Sequence, residues 1–124
     1  MATTVIAGSA SVELATKIAK KLNAKLLIPQ IRIFPDGEQK IKFNYKPKKG
    51  KIVVVQSTYP PVDYNLFQAL CLIFKARQFS PNVIAVIPYL GYARQDKVFL
   101  SGEIATISVI ASLFKAVGAS RSKP

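Results

Sequence analysis

Two runs of branched apolar residues constrain this chain more than any other feature: residues 52–55 (IVVV) and 83–87 (VIAVI). A strand with one wet face alternates apolar and polar side chains. These runs do not alternate, so they suit strands covered on both faces. Each run ends in a breaker, "STYPP" after the first and "PYLG" after the second. Between them a helix is expected from Asp63, its simplest N-cap, to about Phe79. The same alternation begins the chain. Residues 4–7 read as a strand, and residues 12–22 as a helix that Ser9 or Ser11 can cap, with Glu13 in its first turn where the dipole favours an acid. Leu14, Ile18 and Leu22 fall on one face of that helix, with Ala15 beside them. Residues 24–34 carry a second strand, and residues 39–43 alternate as a third, at a sheet edge. "NYKPKKGK" (44–51) reads as a turn, and a last helix spans about 102–117, ended by Gly118.

Buried strands separated by helices give an α/β fold, a mostly parallel sheet flanked by helices. Ligands of such sheets collect beyond the carboxyl ends of the strands. Four loops are therefore expected near one rim: 8–11, 34–38, 56–59 and 89–101.

Charge narrows the partners. Eighteen Lys and Arg against six Asp and Glu leave a net charge of +12. Such an excess favours anions such as nucleotides, sugar phosphates or nucleic acid, although a merely soluble basic surface would look the same. Lys46, Lys48, Lys49 and Lys51 read first as a solvated turn and second as a phosphate or nucleic-acid patch. The 124 residues contain no histidine, which removes the commonest general base and metal ligand. The lone Cys71 excludes a disulfide framework and a thiolate metal site, so no metal ligands are identified. No apolar run approaches the ~20 residues of a membrane span. The first four residues lack the pattern of a signal peptide, and a cytoplasmic protein is expected.

Three stretches carry polar chemistry. In "IFPDGEQ", Pro35-Asp36-Gly37 is an ordinary turn signal, which leaves Phe34 and Glu38 unexplained. An aromatic ring beside two carboxylates suits a nucleoside: the ring stacks on a base while Asp36 and Glu38 accept from ribose or amino groups. In "GYARQDK", Arg94 or Lys97 could simply pair with Asp96. Alternatively Arg94 grips phosphate as a planar fork, Lys97 as a mobile point charge, and Gln95 reads a base edge. In "QSTYPPVDYNLFQAL", Ser57 and Thr58 either donate to a phosphate or satisfy backbone. Neither a P-loop nor a GxGxxG motif is present.

Taken in register, "FPDGE", "VVVQST" with "DYNLFQAL", and "IPYLGYARQDKVFLSGE" closely resemble the ribose-phosphate pyrophosphokinases, with a short loop and "SGE" like the archaeal branch. The resemblance runs from the first strand to Ala119. It implies a phosphoribosyltransferase-like domain, ATP as substrate, Mg2+ in the full-length family, and transfer of the β,γ-diphosphoryl group of ATP to the 1-hydroxyl of ribose 5-phosphate. By resemblance, Phe34, Asp36 and Glu38 belong to the ATP site from one subunit. Arg94 and Gln95 belong to it from the neighbour, with Asp96 and Lys97 in the same loop. A homo-oligomer or a full-length homologue is the implied partner. The family's chain is more than twice this length and continues into metal-binding and ribose-phosphate elements. Here "AVGAS" is followed by "RSKP", so residues 1–119 are expected to be the N-terminal domain, 120–124 a non-matching tail, and the C-terminal catalytic domain absent. A chain of that kind would be inactive alone. The segment 44–51 matches the family's regulatory phosphate site poorly, so no regulatory site is inferred. Two other readings stand beside this one: a non-catalytic homologue acting as a nucleotide-binding or oligomer scaffold, and a basic nucleic-acid-binding module. The second lacks a recognition-helix pattern or an interleaved aromatic–basic strand, so nucleic acid is not the expected partner.

Overall fold

The computed structural model describes residues 2–94, 102–119 and 121–123. Strands β1 (Thr3–Ala7), β2 (Lys25–Leu27), β5 (Lys51–Val55), β6 (Asn82–Val86) and β7 (Arg121–Lys123) form one sheet in the order β2-β1-β5-β6-β7, and every pairing in it is parallel. The expected α/β architecture is what the chain adopts. Residues 52–55 are all buried, and their side chains divide between two cores because neighbours in a strand point to opposite faces. Val53 and Val55 join Val5 and Ala7 beneath α1 (Val12–Leu22). Ile52 and Val54 join Ile6, Val83 and Ala85 beneath α2 (Val62–Arg77) and α3 (Thr106–Val117).

Helix α1 has the expected limits but not the expected face. It buries Ala15 and Ala19, whereas Leu14 and Leu22 stay 38% and 51% exposed. Two small residues let the helix lie close on the sheet, with Ile18 packed beside them and both leucines off to one side of that contact. Neither serine caps the helix through its side chain. Ser11 instead accepts a hydrogen bond through Oγ from the Ser57 amide, 2.9 Å away, which ties the loops after β1 and β5 together.

Three more expectations are corrected. The strand expected over 24–34 is two strands, interrupted around Pro29. The second piece, β3 (Gln30–Ile33), leaves the main sheet and pairs antiparallel with β4 (Gln39–Lys42). Residues 39–43 are therefore not an edge of the parallel sheet, and the 34–38 loop is the tip of a separate hairpin rather than the carboxyl end of a rim strand. Asp63 is not the cap of α2; Pro61 holds that position and Asp63 sits in the first turn. Helix α3 begins at Thr106, not near Gly102, and ends as expected on Gly118 at φ 106°. The tail supplies β7, which extends the sheet beside β6.

Candidate functional site

The hairpin tip is built by its own backbone. Phe34 N–H donates to Glu38 O at 2.8 Å, and Gly37 N–H donates to Phe34 O at 2.8 Å. Gly37 takes φ 94°, where a side chain would be strained. Asp36 accepts the Glu38 amide through Oδ1 at 3.0 Å, so the turn reading of that residue is correct and one carboxylate oxygen is committed to it. Phe34, Asp36, Gly37, Glu38, Gln39 and Lys40 line a hollow of about 650 Å3, and Phe67 of α2 lines it too. The Arg32 guanidinium lies over the Phe34 ring, 5.1 Å from its centroid. On the same strands Arg32 stands directly opposite Lys40, and both are exposed. Like charges in register oppose the hairpin's own pairing and leave this face positively charged.

What holds the hairpin in place is a chain of side-chain amides. Gln39 donates through Nε2 to Tyr64 O at 3.1 Å and accepts through Oε1 from Gln68 Nε2 at 3.2 Å. Gln68, fully buried, accepts through Oε1 from Gln56 Nε2 at 3.1 Å and from the Ser9 amide at 2.7 Å. Gln56, also fully buried, accepts from the Ala10 amide at 3.0 Å and donates to Asn65 Oδ1 at 3.4 Å. Asn65 donates in turn to Tyr59 O at 2.6 Å. Four elements are thereby joined: the loop after β1, the loop after β5, α2 and β4. A Cβ at position 8 would collide with the Gln56 side chain, so glycine is what lets the first loop close over the amide. Ser57 and Thr58 take their structural role. Ser57 Oγ accepts the Tyr59 amide, and Thr58 Oγ1 donates to Tyr89 O and accepts from Gly91 N–H.

The second group sits beyond β6. Residues 91–94 form a turn, and Tyr92 adopts φ 69°. Its hydroxyl donates to Asp63 Oδ1 at 2.5 Å. That bond, with burial and the Asp63 charge behind it, raises the Tyr92 pKa above its ordinary value. Arg94 follows, exposed, at the margin of a hollow of about 420 Å3 that also contains Tyr89, Tyr92 and Val62. Gln95, Asp96 and Lys97 lie outside the described residues. Phe34 and Arg94 thus line separate hollows of one chain. Sequence reasoning missed Lys40 and Phe67 at the hairpin. Lys40 looked like one more basic strand residue, and Phe67 like one apolar position in a helix; only packing puts them beside Phe34.

Residues 3–118 match the family described as the N-terminal domain of ribose phosphate pyrophosphokinase. The chain belongs to that family. The ribose-phosphate pyrophosphokinase of Methanobrevibacter smithii is 38% identical over 116 residues, and that of Thermotoga maritima 38% over 118 residues. These alignments cover 93% and 94% of this chain but 39% and 38% of the relatives. The crystal structure of phosphoribosylpyrophosphate synthetase from Mycobacterium smegmatis superposes on 98% of the chain with a TM-score of 0.90 at 30% identity, and the chain covers 41% of it. A ribose-phosphate pyrophosphokinase N-terminal domain therefore spans about two-fifths of the enzymes it matches. No described helix is long and apolar enough to cross a membrane. Among the described residues no three of His, Cys, Asp and Glu gather as a metal site.

Proposed function

We propose that this chain is the ATP-contributing portion of a ribose-phosphate diphosphokinase. In the reaction the 1-hydroxyl oxygen of ribose 5-phosphate attacks the β-phosphorus of ATP, the bond to the α-phosphate oxygen breaks, and phosphoribosyl pyrophosphate, AMP and a proton result. The observation that carries the reading is the hairpin hollow, which offers an aromatic ring, acceptor carboxylates and a cation side by side on a family-matched fold. Phe34 stacks on the base, and Asp36 and Glu38 accept from ribose or amino groups. Arg94, with Gln95 and Lys97, meets the triphosphate, where charge moves during transfer. The family resemblance has one nucleotide meet Phe34 of one copy and Arg94 of another, and their separate hollows in a single chain agree with that arrangement.

Magnesium enters through the family's chemistry. The sequence offers few, scattered acids and no histidine for such an ion. On that chemical inventory the chain alone is expected to make no phosphoribosyl pyrophosphate. Monomer affinity for ATP is expected to be weak, about millimolar, because the loop half is a surface contact screened by salt.

The test uses Phe34→Ala and Arg94→Ala. Each weakens ATP binding measured by calorimetry, at a protein concentration where sedimentation shows association. An equimolar mixture regains part of it, since some interfaces then pair an intact Phe34 with an intact Arg94. A mixture no better than the average of the two variants refutes the shared site. Release of AMP dependent on ribose 5-phosphate, from chain free of host enzyme, refutes the inactivity of the isolated chain.

A further inference from the structure

Helix α2 turns Asn65, Gln68, Ala69, Leu72, Ile73 and Ala76 inward and leaves two phenylalanines outside, Phe67 at 57% and Phe74 at 58% exposure. A single exposed phenylalanine needs no explanation. Phe74 lines none of the hollows described above. Phe67 differs, because it lines the hollow that holds Phe34, Asp36, Glu38 and Lys40. Two aromatic rings from two separate elements therefore border one cavity of about 650 Å3. One face of Phe34 already carries the Arg32 guanidinium. The relation between hairpin and helix is fixed next to Phe67 itself, since Gln68 donates to Gln39 and Gln39 donates to Tyr64 O. The amide pair that closes the core on one side of α2 thus holds β4 against the helix turn that presents Phe67.

We infer that Phe67 is the second aromatic wall of this hollow, and that the hollow takes the planar nucleobase of a nucleotide between Phe34 and Phe67. The Gln39–Gln68 pair sets the position of one wall against the other. This rests on the nucleotide reading above and deepens it: the ring-binding half of the site lies between hairpin and helix, not on the hairpin alone. Stacking is indifferent to base identity because every base has a π-face. Discrimination among bases then falls to Asp36 and Glu38 as acceptors, while Lys40 faces the negative end of the ligand.

The full chain has no tryptophan, so Phe67→Trp introduces a single fluorescent reporter. ATP is expected to quench its emission, and inorganic tripolyphosphate, which has the charge without the base, to leave it unchanged. In calorimetry, Phe67→Leu should weaken ATP binding about tenfold, within the range of one lost base–aromatic stack. It should leave tripolyphosphate affinity intact, and Phe67→Tyr should retain ATP binding. Phe67 is more than half exposed, so the urea midpoint of Phe67→Leu should stay near that of the parent chain. If Phe34→Ala weakens ATP binding while Phe67→Leu does not, or if ATP binds without moving the reporter's emission, Phe67 is no wall and the inference fails with the nucleotide reading intact. If the parent chain binds ATP no better than tripolyphosphate, both fail together.

Discussion

Gln56→Met tests whether the buried amide chain holds this domain together. The substitution keeps the volume and the unbranched shape of a side chain that is 0% exposed, and deletes its polar atoms. Three hydrogen bonds go: from the Ala10 amide at 3.0 Å, to Gln68 Oε1 at 3.1 Å and to Asn65 Oδ1 at 3.4 Å. Their worth is unequal. Gln68 Oε1 keeps the Ser9 amide, and Ala10 is exposed, so those two losses cost about 0.5–1.5 kcal/mol each. Asn65 is 5% exposed, and its Oδ1 loses the donor described here, at roughly 1–3 kcal/mol. Together the change should destabilise by about 2–6 kcal/mol, a drop of roughly 1–3 M in the urea midpoint at an ordinary m-value. Gln56→Glu sharpens the test. It keeps an acceptor for Ala10 but turns a carboxylate oxygen toward Asn65 Oδ1 and Gln68 Oε1, so its folded-state pKa is raised by burial and by those acceptors. Its stability should therefore be greatest below the ordinary glutamate value and should fall as pH rises through the raised one. Urea unfolding at acid and neutral pH reads both effects. A Gln56→Met midpoint within about 0.5 kcal/mol of the parent, or a Gln56→Glu pH dependence parallel to the parent's, refutes the reasoning.

Two further outcomes follow from single contacts. Tyr92 is a donor to Asp63 only while protonated, and its pKa is raised above 10.0, so its contribution is present below that value and lost as pH rises through the folded pKa. Tyr92→Phe should thus lose less stability than the parent between neutral and strongly alkaline pH; superimposable stability–pH curves would contradict this. Gly118 has φ 106°, and a Cβ there would lie 2.6 Å from Arg77 Cγ, so Gly118→Ala should destabilise by about 1–3 kcal/mol in thermal or urea unfolding. An unchanged midpoint would show that the α3 terminus relaxes freely.

The sequence determined the class of fold because hydrophobic pattern is a local property. Residues 52–55 and 83–87 need cover on both faces wherever they go, and helices between them supply it. Gly118 as a helix end and Pro35-Asp36-Gly37 as a turn were equally legible, since positive φ and side-chain-to-backbone bonds are decided within a few residues. Which strand joined which sheet was not. Residues 24–34 read as one strand because strand propensity carries no partner, and only pairing shows β2 on β1 and β3 on β4. Arg121–Lys123 has no apolar signature, and its strand exists because β6 offers an edge. The face of α1 was misread because leucines outrank alanines by hydrophobicity, whereas close approach to the sheet selects small residues. The candidate site divides in the same way. Phe34, Asp36, Glu38 and Arg94 stood out as residue types in an unusual local setting. Lys40, Phe67 and the Gln39–Gln68–Gln56 chain did not, because a buried amide or an exposed ring takes its meaning from neighbours up to 59 residues away, which only the folded chain brings into contact.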